Sequence, residues 1–229
     1  MDITIIMPVY CEGENIKIAL DRIKSELKFP YIVKIIYDFD EDNTLDALKG
    51  YDLGENIKLV KNGYGKGVLN AIKFGLETTD TKYAVVTMAD LCDPPYVIND
   101  MYEMAEKNNS DIVCASRYMK GGKQIGGPFI KGLMSKAAGL TLHYFAKVPV
   151  HDATNSFKLY KKDFLRKQNI ESSGGFELGL ELVVKAHLSK ARINEVPTSW
   201  YDRKKGESRF KLIKWLPRYL KWYIRAFTS

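Results

Sequence analysis

"YAVVTMADLCDPPYVINDMYEMAEKN", residues 83–108, decides how the chain folds. Residues 83–89 form an apolar, β-branched run, and Pro95 opens a helical stretch that ends at Asn108. Between them stand two carboxylates, Asp90 and Asp93, at the mouth of what reads as a buried strand. The same unit repeats outward. Upstream, TIIMPV (4–9), YIVKIIY (31–37) and IKLVKN (57–62) read as strands, and a further one follows at 111–118. Helical stretches at 13–27, 44–50 and 67–78 separate them, the first with Ile16, Ala19, Leu20, Ile23 and Leu27 at helical spacing. Continuous apolar strands alternating with helices predict an α/β fold with a mostly parallel, Rossmann-like sheet covered on both faces.

The second half is less regular. A glycine-rich loop (121–128) precedes a helix at 130–146 with small residues on one face. A strand at 156–162, a helix at 176–188 and an edge strand at 191–200 follow. No repeat or linker divides the chain, so residues 1–209 read as one domain and 210–229 as an appended helix.

Ligands of such sheets sit beyond the carboxyl ends of the strands. The polar residues gather there: Tyr10 and Glu12 after the first strand, Asp38 after the second, Asp90 and Asp93 after the fourth, Ser116 and Arg117 after the fifth. Asp90 and Asp93 can supply the one or two carboxylates that Mg²⁺ or Mn²⁺ takes beside phosphate oxygens and water. The alternative for Asp93 is an N-cap, with Pro94 in the first helical turn. Asp38 suits a nucleobase imide or a ribose, whereas Glu41 and Asp42 read as a solvated turn. Lys66 lies among glycines before a helix, a weak phosphate signal. Arg117 suits bidentate contact with phosphate. Arg203 and Arg209 flank a glycine turn. His143, His151 and His187 have no metal-ligand spacing and read as structural.

The charge is local. The net charge is +7, but from Arg203 onward nine Lys and Arg stand against Glu207, which leaves the rest of the chain near −1. That pattern predicts a local anionic partner rather than nucleic acid. Lys211, Lys214, Arg218, Lys221 and Arg225 fall on one helical stripe, with Trp215, Leu220, Trp222, Ile224 and Phe227 around the rest. A basic, Trp-rich amphipathic helix reads as membrane-surface binding; the alternative is a helix packed on the core with its basic side in water. Three cysteines without CxxC spacing argue for a reducing compartment. With no signal-peptide pattern and no long apolar run, the expectation is a cytoplasmic protein, peripheral at the membrane.

These elements together resemble the inverting family 2 glycosyltransferases. "IIMPVYCEGENI" is similar to the family's PxYNExxNI opening, "YDFDEDNT" to its DDGSxDGT element, and "MADLCDPP" to its DADxxxPP metal element. "ASRY", "DATNSFKLYKK", "GGFELGLELVVKA" and "DRKKGESRF" match further family segments in order, so the resemblance covers nearly the whole chain. The nearest group is the polyprenyl-phosphate glycosyltransferases. The resemblance implies a GT-A fold, a nucleotide-diphosphate sugar donor, a polyprenyl-phosphate acceptor and a divalent metal. It implies that Pro8, Tyr10, Glu12, Asp38, Lys66 and Ala89 hold the donor, Asp90 the metal, and Ser116, Arg117, Glu177, Arg203 and Arg209 the acceptor side. A saccharide hydroxyl acceptor would need a base, for which Asp152 or Glu177 is the candidate. Two positions depart from the pattern: Met88 replaces the first metal aspartate, and Tyr37 the first Asp of the DDGS element. Met is a poor ligand for a hard cation, so Asp93 is expected to stand in, failing which the chain is a non-catalytic nucleotide-sugar or anionic-lipid binding module. Nucleobase, sugar and oligomeric state are not encoded in any spacing.

Overall fold

A computed structural model describes residues 1–202 and 212–228, with side chains from Trp215 onward in the second segment. Strands β1 (Ile3–Pro8), β2 (Tyr31–Tyr37), β3 (Ile57–Lys61), β4 (Tyr83–Val86) and β5 (Ile112–Ser116) alternate with helices. Those helices are α1 (Asn15–Glu26), α2 (Asn43–Ala47), α3 (Val68–Glu77) and α4 (Val97–Asn108). The second half adds β6 (Lys123–Ile125), α5 (Phe129–Tyr144), β7 (Lys158–Lys161), α6 (Lys162–Leu165), α7 (Leu178–Leu188), β8 (Ile193–Pro197), β9 (Ser199–Tyr201) and α8 (Leu212–Arg225).

The main sheet has the order β3-β2-β1-β4-β7-β5-β8. Its neighbours run parallel except β7, which is antiparallel to both β4 and β5. Period-two alternation distributes the strand residues between two cores. Ile3, Ile5 and Met7 of β1 pack with Ile16, Leu20 and Ile23 of α1 and Val97 and Met101 of α4. Ile6, Ile36 and Val86 face the opposite layer, with Leu69 and Ile72 of α3 and Leu180 and Val183 of α7. A strand buried on both faces does not alternate with polar residues, and β1 is apolar but for Thr4, whose hydroxyl is paired with that of Thr81 at 2.8 Å.

Three expectations are corrected. The predicted edge strand at 191–200 is two strands in two sheets, because β9 leaves β8 to pair with β6. The glycine-rich loop therefore contains a strand. Asp42 is not solvated: it is buried, caps α2 by accepting from Thr44 N at 2.9 Å, and also accepts from Cys11 N at 3.0 Å. Finally, α8 is packed on the core. Trp222 is 1% exposed and lies with Ala226 among the buried residues of the α7 layer. On its basic side, Lys221 and Arg225 reach Glu171 at 3.1 and 3.6 Å.

Candidate active site

A cavity of about 840 Å³ opens where the carboxyl ends of β1, β2, β4 and β5 meet α5 and α8. Pro8, Tyr10, Glu12, Asp38, Asp90, Asp93 and Arg117 all line it, so the residues after four separate strands converge as their positions suggested. Lys66 stands outside the lining, its ammonium 5.2 Å from the Phe39 ring. Ala89 is buried in the core. Arg203 and Arg209 lie outside the described residues.

The donor-side wall is built by Asp38. Its two carboxylate oxygens accept from Asn62 Nδ2 and from Gly67 N, both at 2.8 Å. Gly67 has φ +123°, a conformation that side chains resist, so glycine lets its amide turn toward Asp38 at the entrance to α3. Asn62 also donates to Gly65 O at 2.7 Å, so the loop is held at both ends. The Tyr10 and Phe39 rings meet edge-on at 5.6 Å beside it.

Across the cavity floor lie the two acids. Asp90 accepts from Cys92 N at 3.1 Å, an Asx turn that leads the chain back toward Asp93. Asp93 does not cap α4, whose cap residue is Tyr96 and makes no side-chain cap bond. Instead it is buried, and its Oδ1 has no hydrogen-bond partner among the described residues. Burial, then the neighbouring Asp90 charge, push its carboxyl up to about 7, against a smaller opposing pull from Arg117. An orphaned buried oxygen beside a second carboxylate fits a divalent cation, which would satisfy the oxygen and relieve the like-charge repulsion. The described residues contain no group of three or more His, Cys, Asp or Glu able to hold a metal by themselves. Asp90 and Asp93 would therefore hold an ion jointly with a ligand's own phosphate oxygens. Met88 lines the same cavity.

Arg117 lines the same cavity and is held by several partners. Asp152 accepts from its Nε at 2.7 Å, its Nη2 at 3.1 Å and its backbone N at 3.2 Å. Ser135 Oγ and Thr154 Oγ1 take further Nη2 bonds at 2.9 and 3.2 Å, and the guanidinium lies 4.8 Å from the Tyr118 ring. Tyr118 OH in turn reaches Ser135 and Gln124, each at 3.0 Å. Burial alone would raise the Asp152 carboxyl, but the charge and hydrogen bonds of Arg117 outweigh it and hold it below the ordinary carboxylate value. Asp152 is wholly buried and absent from the cavity lining, which makes it a positioning residue for Arg117 rather than a base. Glu177 is likewise buried and absent from the lining: it accepts from the backbone amides of Ser173, Gly174 and Gly175 at 3.2, 2.7 and 2.8 Å. It shapes the loop that carries Gly174 and Phe176 into the wall. Ser116 is buried, its hydroxyl accepting from Met119 N at 3.2 Å.

Sequence reading missed Ser135, Thr154, Tyr118 and Asn155 as parts of the site. It also missed Lys158, whose fully buried ammonium has no hydrogen-bond partner among the described residues; burial lowers its pKa. None has a local signature: the partners of Thr154 and Asn155 lie 37 and 40 residues away along the chain.

Comparison with known proteins identifies the family. Residues 4–168 match the model of the family described as "Glycosyl transferase family 2". The chain is 30% identical over 231 residues to a dolichol-phosphate mannosyltransferase of Pyrococcus furiosus, covering 97% of this chain but only 64% of that relative. It is 24% identical to an undecaprenyl-phosphate mannosyltransferase of Micrococcus luteus, over 91% of this chain and 87% of the relative. In fold it is similar to glucosyl-3-phosphoglycerate synthase from Mycobacterium tuberculosis, solved with Mn²⁺, uridine diphosphate and glucosyl-3-phosphoglycerate. The TM-score is 0.73 at 12% identity, over 99% of this chain and 80% of that one.

Proposed function

The chain belongs to glycosyl transferase family 2, and on that premise we propose that it moves a sugar, with inversion, from a nucleotide-diphosphate sugar to a polyprenyl phosphate at a membrane surface. The observation that carries the reading is the cavity's charge content: a carboxylate pair, Asp90 and Asp93, lines the same cavity as the Arg117 guanidinium, which Asp152 holds in place. In this reading the Asp38 wall receives the nucleoside. Asp90 and Asp93 would hold Mg²⁺ or Mn²⁺ together with the donor's phosphate oxygens. That ion would supply charge neutralisation to the departing diphosphate.

Arg117 then faces the acceptor phosphate. Its Nη2 and Nε hydrogens are fixed by Asp152, Ser135 and Thr154, so the cation is preorganised and need not reorient as charge shifts during transfer. Inversion requires the acceptor oxygen to approach the anomeric carbon from the face opposite the leaving diphosphate. A guanidinium lining the same cavity can hold the acceptor phosphate for that approach. A phosphate acceptor is already anionic and needs no strong base. The hydroxyl-acceptor reading draws less support, because its two candidate bases, Asp152 and Glu177, are both buried and committed to internal hydrogen bonds.

The test is transfer of radiolabel from a panel of nucleotide sugars, with and without Mn²⁺, followed by organic extraction. Label in the lipid phase supports the reading. Label only in water-soluble saccharide selects a hydroxyl acceptor, and donor binding without turnover selects a non-catalytic module.

A further inference from the structure

The two-stranded sheet turns one face to the cavity. Gln124 of β6 and Trp200 of β9 are register partners, so their side chains leave the same face of the ribbon, and both line the cavity. Their neighbours Ile125 and Tyr201 leave the other face and are 44% and 48% exposed. Gly127 confines the indole: its φ is +83°, and a Cβ there would stand 3.1 Å from the six-membered ring of Trp200. Gln124 is held through its amide oxygen, which accepts from Tyr118 OH at 3.0 Å. Tyr118 OH is also 3.0 Å from Ser135 Oγ, which takes an Arg117 Nη2 bond at 2.9 Å. Polar contacts thus join this wall to the guanidinium. An aromatic plane beside an amide N–H donor has the chemistry of a carbohydrate subsite. The indole covers the C–H face of a pyranose ring, and the amide meets its hydroxyl edge. A hydrocarbon chain on the same wall would leave the amide unsatisfied.

We propose that Trp200 and Gln124 form the subsite for the transferred sugar, a pyranose, with Trp200 as its stacking surface and Gln124 selecting among hydroxyl configurations. The contacts through Tyr118 and Ser135 place that sugar beside the cage of Arg117, the cation assigned to the acceptor phosphate. The identity of the ligand rests on the reading of a nucleotide-diphosphate sugar donor.

The test is titration calorimetry of the full chain, with Mn²⁺, against UDP- and GDP-linked glucose, mannose and galactose and against UDP and GDP alone. The parent protein is compared with Trp200→Leu, Trp200→Phe and Gln124→Met. Trp200→Leu should weaken the preferred nucleotide sugar about tenfold and Trp200→Phe by less, with affinity for the bare nucleoside diphosphate unchanged in both. Gln124→Met should lower the preference for that sugar over its hydroxyl epimer by about tenfold or more. Equal losses for nucleotide sugar and nucleoside diphosphate, or no loss for either, overturn the subsite. A loss confined to KM for the acceptor overturns it too, assigning the wall to the acceptor. The expected binding pattern without transfer to any lipid phosphate upholds the subsite and overturns the acceptor reading instead. A parent protein that binds none of the nucleotide sugars overturns the donor reading and the subsite with it.

Discussion

Replacing Asp93 by Asn removes a charge that the fold does not solvate. The carboxyl is buried, one of its oxygens has no partner among the described residues, and its pKa stands at about 7 against an ordinary 3.8. The folded protein therefore holds this proton more tightly than the unfolded chain does. Stability is fullest below the unfolded value, falls as pH rises from about 4 to about 7, and stays lowered above it. At 1.36 kcal/mol per pKa unit, a shift of roughly three units sets the penalty near 4 kcal/mol, and relaxation of the loop brings it to about 2–4 kcal/mol. Asn is neutral and nearly isosteric. At about pH 3.5 the variant should unfold with the parent protein, and at pH 8 it should unfold about 4 °C or more higher, at about 2–4 °C per kcal/mol for a chain of this size. Differential scanning calorimetry at the two pH values measures this. Adding Mn²⁺ with a nucleoside diphosphate at pH 8 should stabilise the parent protein more than the variant and narrow or reverse the difference. A variant equally destabilised at both pH values would refute the reasoning, because Asp93 would then be an ordinary hydrogen-bond acceptor. Equal stabilisation of both proteins by Mn²⁺ would remove Asp93 from the metal site.

Asp152→Asn strips Arg117 of its counter-charge and should cost about 3 kcal/mol in urea unfolding near neutral pH. Because the folded Asp152 value lies below its unfolded one, that cost should shrink as acid protonates Asp152 in the parent protein. The same variant should lose about 100-fold in kcat, since the misdirected guanidinium no longer meets developing charge. Glu177→Gln weakens three backbone contacts in the 173–175 loop and should raise KM for the acceptor with a stability loss of about 1–3 kcal/mol. Trp222→Ala should cost about 3–5 kcal/mol by urea unfolding, because the indole fills the core beside α7 rather than facing lipid.

The strand–helix alternation was legible because a strand buried on both faces has to be largely apolar: β4 is apolar throughout, and β1 departs from this only at Thr4. The direction of β7 was not, because a short buried strand carries no mark of its polarity; that depends on which gap in the sheet it fills. Asp42 looked solvated within its acidic run because its partner, the Cys11 amide, is 31 residues away. Asp93 looked like a cap because the Asp-Pro-Pro pattern favours one, yet α4 starts only at Val97. The C-terminal stripe was correctly helical. Periodicity records that a helix has an apolar side and says nothing of whether core or lipid meets it, so Trp222 was placed on the wrong surface.

The reversal of β7 explains how the second half of the chain reaches the site. Parallel strands end at the cavity, so an antiparallel strand inserted between β4 and β5 must begin there. The segment just before β7 is thereby delivered to the cavity: Asp152 and Thr154 reach Arg117 at the end of β5, and Asn155 Nδ2 donates to Ala115 O at 3.1 Å. The same segment anchors α5. A Cβ on Gly139 would come within 2.3 Å of His151 O, so only glycine lets the helix pack this closely, and Ser135, one turn earlier, completes the Arg117 cage. Arg117 and α5 are thus parts of one rigid unit.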